Sequence, residues 1–200
     1  MRGTFMKRIL AGTAGLVLAL SLVATPALAR DRHREEKRSK ETSTLSRQDI
    51  DFLKSASRGA LFEIAGGTMA AAQSVTPEGK ALGLKLASDH TMAEANLAVL
   101  AAKYGVPLPT TMSDQQAGEL ARVGSITGLH FDDEYSELEV QDHLQDIKDF
   151  KTEVKKGRNP DVRAFAAASL PLLQAHLALS TAVNDVVEAL PGHDGDTTEG

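Results

Sequence analysis

The chain has 200 residues, 42% of them apolar but only 4% aromatic, and a formal charge of −5. That alanine- and leucine-rich mix suits close-packed helices better than a sheet, which favours β-branched and aromatic residues. It contains no cysteine, which excludes disulfides, thiolate zinc sites, iron–sulfur clusters, c-type haem and lipidation at a cysteine, and its acidic balance argues against a nucleic-acid partner.

In chain order, "MRGTFMKR" supplies a basic start, "ILAGTAGLVLALSLVA" an uncharged apolar run, and "PALA" a small-residue cleavage site at Ala27 and Ala29. Residues 1–29 therefore read as a secretory signal peptide. Its removal takes away Arg2, Lys7 and Arg8 and no acid, moving the formal charge from −5 to −8. The expected location is periplasmic or secreted, with no transmembrane domain left after cleavage. Residues 30–44, "RDRHREEKRSKETST", are charged, mixed in sign and nearly free of apolar side chains, as in a disordered linker. Residues 191–200, "PGHDGDTTEG", read as a disordered tail; His193 and Asp194 there are read as solvated rather than as a metal site.

Residues 45–190 carry four long helical patterns. Ser46 is a plausible N-cap with Asp49 in a box-like position, and the first pattern runs to about Ser74. Thr76-Pro77-Glu78 starts the second, which ends at Tyr104 with Gly105 to close it and Pro107 to prevent continuation. Asp132 is the expected cap of the third, which ends at Gly157. Asn159-Pro160-Asp161 starts the fourth and Pro191-Gly192 stops it, with Pro171 inside as the place for a bend. A long segment, Gly105 to Phe131, joins helices 2 and 3. It is expected to hold a short helix from Ser113 to about Val123 and then an extended stretch, "VGSITGLHF". The outline is all-α: a four-helix bundle with a long connection that permits a crossover.

Bundle helices bury positions spaced alternately three and four apart. Those lines are Leu53, Ala56, Ala60, Glu63, Gly67, Ala70; then Leu86, His90, Ala93, Leu97, Leu100, Tyr104; then Val140, His143, Ile147, Phe150, Val154; then Phe165, Ser169, Leu172, His176, Leu179, Val183. Each helix thus places one metal-competent side chain (Glu63, His90, His143, His176) near the middle of its apolar stripe. Burying such groups costs several kcal/mol unless they are paired, neutralised or metal-bound. Two readings stand. One is a structural polar layer that fixes helix register. The other is a site for a single zinc, copper or iron ion, with three imidazoles and a carboxylate as ligands. Asp89 and Asp142, each just before a histidine, point about 100° away from it and are placed to orient an imidazole on a neighbouring helix, or to make ordinary polar contacts. Glu94 and Glu139, four residues from His90 and His143, read as charges on solvated flanks; Met69 and Met92 read as core filler rather than thioether ligands. The two glycines of "AGGTMA" point to close helix packing, since no strand precedes them and no P-loop lysine follows.

The stretches "FLKSASRGALFEIAGG", "SDHTMAEANLAVLAAKYGVPLP", "FDDEYSELEVQDHLQDIKDF" and "LPLLQAHL", in this order and spacing, resemble the ferritin-like family of predicted exported bacterial proteins called domain of unknown function 4142. The resemblance covers about Ser46 to Leu190. It implies a ferritin-like four-helix bundle, an association with envelope stress, and no established activity. The positions three before His90, His143 and His176 are Ala87, Val140 and Leu173. No Glu-x-x-His pair lies in the seam, which argues against a ferritin-type dinuclear carboxylate centre. The sequence therefore points to an exported helical-bundle protein, non-enzymatic, with a mononuclear metal site in its core. The alternatives are a purely structural or interaction module and a redox metalloenzyme, and the residues specify neither a protein partner nor an oligomer.

Overall fold

The computed structural model describes residues 45–193. The expected signal peptide, the charged linker and the tail from Asp194 onward lie outside them. Five helices follow one another: α1 (Arg47–Gln73), α2 (Pro77–Lys103), α3 (Asp114–Gly124), α4 (Leu129–Lys156) and α5 (Pro160–Glu188). No strand occurs among the described residues.

Local chemistry sets most of the boundaries. Ser46 and Asp49 form a reciprocal capping box at the start of α1. Thr76 caps α2 through Gly79 N–H, and Asn159 caps α5 through the N–H groups of Asp161 and Val162. At the end of α2, Val106 N–H bonds to Ala101 and Gly105 N–H to Ala102, with Gly105 at φ 67°, the paired closure that a left-handed glycine permits. The start of α4 departs from expectation. Gly128, at φ 71°, turns the chain so that α4 begins at Leu129, and the "LHF" expected to be extended is helical. Asp132 does not cap its own helix. Its carboxylate accepts from the backbone N–H groups of Val75 (3.1 Å) and Thr76 (2.7 Å), in the turn between α1 and α2. Asp49 does the same for the other turn, accepting from Arg158 (2.8 Å) and Asn159 (3.1 Å).

These two ties fix the topology. The start of α4 lies at the turn of the α1–α2 hairpin, and the start of α1 lies at the turn of the α4–α5 hairpin. Each hairpin is packed tightly within itself, and the two face each other through α1 against α4 and α2 against α5. The helices run up, down, down, up, and the segment carrying α3 crosses the length of the bundle, as the long connection allows. Within the first hairpin the backbones touch. A Cβ on Gly67 would stand 2.5 Å from the Gly83 carbonyl oxygen, and one on Gly83 would stand 2.6 Å from that of Gly67. Only glycine fits on both sides of that crossing. α5 continues through Pro171 without interruption. Among the described residues it is also the one helix long and apolar enough to cross a membrane, which goes against the expectation that no transmembrane domain remains after cleavage only by length and composition. Here its Val162, Ala166, Leu173, His176, Ser180, Val183 and Val187 side faces the core of the bundle.

The core is two apolar clusters rather than one. The first gathers Phe62, Leu82, Leu86, Val123, Phe131 and Tyr135; the second gathers Phe52, Leu53, Leu97, Phe150, Val162 and Leu173. Between them, at mid-height, lies a fully buried polar layer.

Candidate metal centre

Three helices bring their histidines together in this layer. His90 of α2, His143 of α4 and His176 of α5 are all buried, with ring centroids 5.8, 5.2 and 5.3 Å apart in the pairs 90–143, 90–176 and 143–176. One ring nitrogen of each lies within 4.8 Å of those of the other two. Four ligands around one ion at about 2.0–2.1 Å stand roughly 3.4 Å apart, a spacing in the range of these nitrogens.

The outer contacts settle the tautomers. Nδ1 of His143 lies 2.8 Å from the carbonyl oxygen of Glu139, which can only accept, so Nδ1 carries the proton. Nε2 of His176 lies 2.8 Å from Asp89. Burial acts to raise the Asp89 carboxyl, but hydrogen bonds and charge from Lys85 and His176 outweigh it and hold it below its usual value. That carboxylate accepts, and Nε2 of His176 carries the proton. The nitrogens left bare are Nε2 of His143 and Nδ1 of His176; with Nε2 of His90 they are buried and have no hydrogen-bond partner. Burial, then repulsion from the neighbouring rings, lowers His90 to about 3. Burial likewise lowers His143 to about 4, and it lowers His176. All three are neutral at pH 7, the state in which an imidazole can bind a metal. Asp89 thus orients an imidazole across the helix interface, one of its two sequence readings.

Glu63 sits on the other side of His143. Its Oε1 lies 3.7 Å from Nδ1 of that ring, and Oε2 of Glu139 lies 3.8 Å from the same nitrogen. Both glutamates are fully buried, and among the described residues no lysine, arginine or backbone N–H reaches their four oxygens; they face each other, Asp142 and the Tyr135 hydroxyl. Asp142, half-buried, faces Glu63 rather than an imidazole, and its buried Oδ2 also lacks a donor. Burial, then the charges of Glu139 and Asp142, pushes Glu63 well above the usual carboxyl range. Burial raises Glu139 to about 7 and raises Asp142. Burial and the nearby acids also raise the Tyr135 phenol, whose hydroxyl lies against Glu139. Among the described residues no ion pair joins these carboxylates to a lysine or arginine.

The spacing places Val140 in the seam and Glu139 on a solvated flank; the structure reverses them, with Glu139 fully buried and Val140 half-buried. The signal was a run of four-residue steps, Tyr135, Glu139, His143, Ile147, which rotates the buried face by one position. On α5 the same drift buries Ser180 and leaves Leu179 37% exposed. Glu94 is half-buried and accepts from the Ser57 hydroxyl at 2.8 Å. Met92 is 59% exposed, and Met69 packs on the first apolar cluster, so neither offers its sulfur to the layer. At the tail, His193 lies 3.4 Å from Asp133 and its carbonyl meets His130. Beside His90 a cavity of about 40 Å³, with Asp146 as its polar wall, has room for a water molecule or two.

No curated protein and no solved structure matches this chain. The profile of one family does, over residues 34–183, and the chain belongs to that family, the domain of unknown function DUF4142.

Proposed function

We propose that this chain is an exported metal-binding protein of the cell envelope, in which His90, His143 and His176 hold one zinc, copper or iron ion in the core of the bundle. One observation carries the reading: three buried, neutral imidazoles each keep a ring nitrogen without a partner. An orphaned buried acceptor costs roughly 1–3 kcal/mol, and three converging ones are what a ligand set requires. Two of the rings are held from behind, by Asp89 and by the Glu139 carbonyl, in the way metal-ligating histidines are oriented. Export, and the periplasmic or secreted location that follows from it, rests on the leader of residues 1–29; a role in envelope stress rests on the family resemblance alone.

The test is metal binding to the metal-free mature chain, beginning at Arg30, by calorimetry and elemental analysis. The expected result is binding at micromolar affinity or tighter that falls at least tenfold in His90→Ala and His176→Ala. If no ion binds at micromolar concentrations and His90→Ala only lowers stability, the layer is structural. A second reading, a redox metalloenzyme, is favoured by the cavity beside His90, which has room for a small oxidant next to a ligand. Turnover of peroxide or superoxide by the loaded protein would establish it.

A further inference from the structure

The donors of the polar layer do not converge on one point. His143 belongs to both groups: its ring centroid lies 5.8 and 5.3 Å from those of His90 and His176, whereas Glu63 and Glu139 stand 3.7 and 3.8 Å from its Nδ1, leaving Nε2 as the nitrogen free for the triad. We propose that the layer holds a second cation, bound by Glu63, Glu139 and Nδ1 of His143, so that the His143 ring bridges two ions. This rests on the first ion occupying the histidine triad.

The geometry is close to that of a loaded site. Ligand atoms about 2.0–2.2 Å from one ion stand roughly 3.4 Å apart at tetrahedral angles. The two nitrogen–oxygen separations exceed this by only a few tenths of an ångström, and one donor atom from each of the three residues lies within 4.8 Å of the others. All three side chains are fully buried. Among the described residues no lysine, arginine or backbone N–H reaches the carboxyl oxygens, which face one another and the Tyr135 hydroxyl. Ionised acids buried together with no basic residue would cost several kcal/mol per charge, so without a cation they keep protons, and a divalent cation takes the place of those protons.

The chemistry also differs from that of the triad. Two carboxylates and one nitrogen make a harder donor set than three imidazoles, suited to iron, manganese or zinc and still able to take Cu²⁺. Binding there needs His143 to give up its Nδ1 proton, and with it the bond to the Glu139 carbonyl; that proton, and any held by the glutamates, passes to solvent. The result is a two-ion centre without a Glu-x-x-His pair, built on a shared imidazole instead of bridging carboxylates. It extends the single-ion site expected from sequence.

The metal-free mature chain is titrated with Co²⁺ and, separately, Cu²⁺, with ions per chain counted by elemental analysis and folding checked by circular dichroism. Two ions are expected in the wild type. Glu63→Gln and Glu139→Gln, close in shape to the originals, should keep one ion and its triad spectrum while the second weakens at least tenfold. The di-copper wild type should show a spin-coupled pair in electron paramagnetic resonance, and Glu63→Gln an isolated copper signal. One ion in the wild type, with triad affinity unchanged in Glu63→Gln, overturns the second position and leaves the first. Two ions that survive both substitutions place the second elsewhere and also overturn it. Loss of both ions in a folded Glu63→Gln would make Glu63 a ligand of the triad ion, with the same consequence. No ion at all removes the triad reading itself.

Discussion

Two sets of buried acids in this bundle meet opposite fates. At the ends, Asp49 and Asp132 are at most 1% exposed, and each accepts backbone N–H groups from the turn of the opposite hairpin. In the middle, Glu63 and Glu139 are fully buried and accept no backbone N–H, facing each other, Asp142 and Tyr135. Side chains of one chemical type, at similar depth, are used in one place to join two hairpins and kept open in the other. Stability alone accounts for the end acids. It does not account for the middle ones, because leucine in their place would fill the same space without an orphaned oxygen. Buried acids reached by neither a backbone N–H nor a basic side chain are what the proposed second ion would account for.

The largest test of this contrast is at the ends. Asp132→Ala leaves the N–H groups of Val75 and Thr76 without their acceptor, and Asp49→Ala does the same to Arg158 and Asn159. At roughly 1–3 kcal/mol per orphaned buried group, each substitution should cost about 3–5 kcal/mol in urea unfolding. A loss below about 1 kcal/mol would mean that the end acids are no more essential to the fold than the middle ones.

The pH dependence of the metal-free protein should distinguish the two sets by sign. For Asp49, burial works against the charge, but hydrogen bonds from Ser46, Asn159 and Arg158 outweigh it and hold the carboxyl below 3.8. Its stabilisation is present above 3.8 and is lost as pH falls through the lower, folded value. Glu139 is raised from 4.5 to about 7. Between those values the folded chain keeps a proton that the unfolded chain releases, so stability falls as pH rises from 4.5 to about 7. At about 1.4 kcal/mol per unit the effect is on the order of 2–3 kcal/mol. His90, lowered from 6.5 to about 3, acts the other way and costs stability as pH falls across that interval. The difference between wild type and Glu139→Gln reports the coupled Glu63–Glu139 pair: the variant should gain on the wild type as pH rises from 4.5 to 7. Parallel curves would show that Glu139 is not held protonated by its burial.

Much of this was legible in the sequence because the signals are local. Ser46, Thr76 and Asn159 mark helix starts, Gly105 a helix end, and the glycine pair of α1 a close crossing, each by a rule that needs only a few neighbours. The metal-competent side chain on each stripe was legible for the same reason. What sequence could not supply is the rotation of each helix about its own axis. A change of one position on α4 exchanges Val140 for Glu139, and one on α5 exchanges Leu179 for Ser180. Which face of His143 meets Glu63 depends on that rotation and on the crossing angles of four helices together. Asp132 was misassigned because its partners, Val75 and Thr76, are distant in sequence, and nothing local distinguishes a cap for its own helix from a tie to another.

The smallest expected effect is also the most discriminating for the middle layer. His90→Leu replaces a neutral, partly orphaned ring with an apolar side chain of similar size, next to the cavity of about 40 Å³. If the layer is kept for a ligand, the metal-free variant should differ from wild type by less than about 1 kcal/mol in urea unfolding, or be slightly more stable, since exchanging buried polar groups for well-packed apolar ones is often neutral or favourable. The cost should appear only with metal. Wild type at a hundredfold excess over Kd gains about 2.7 kcal/mol, and the variant should not. A metal-free loss of about 3 kcal/mol or more would place His90 with Asp49 and Asp132, among the groups that hold the bundle together, and the distinction between ends and middle would fail.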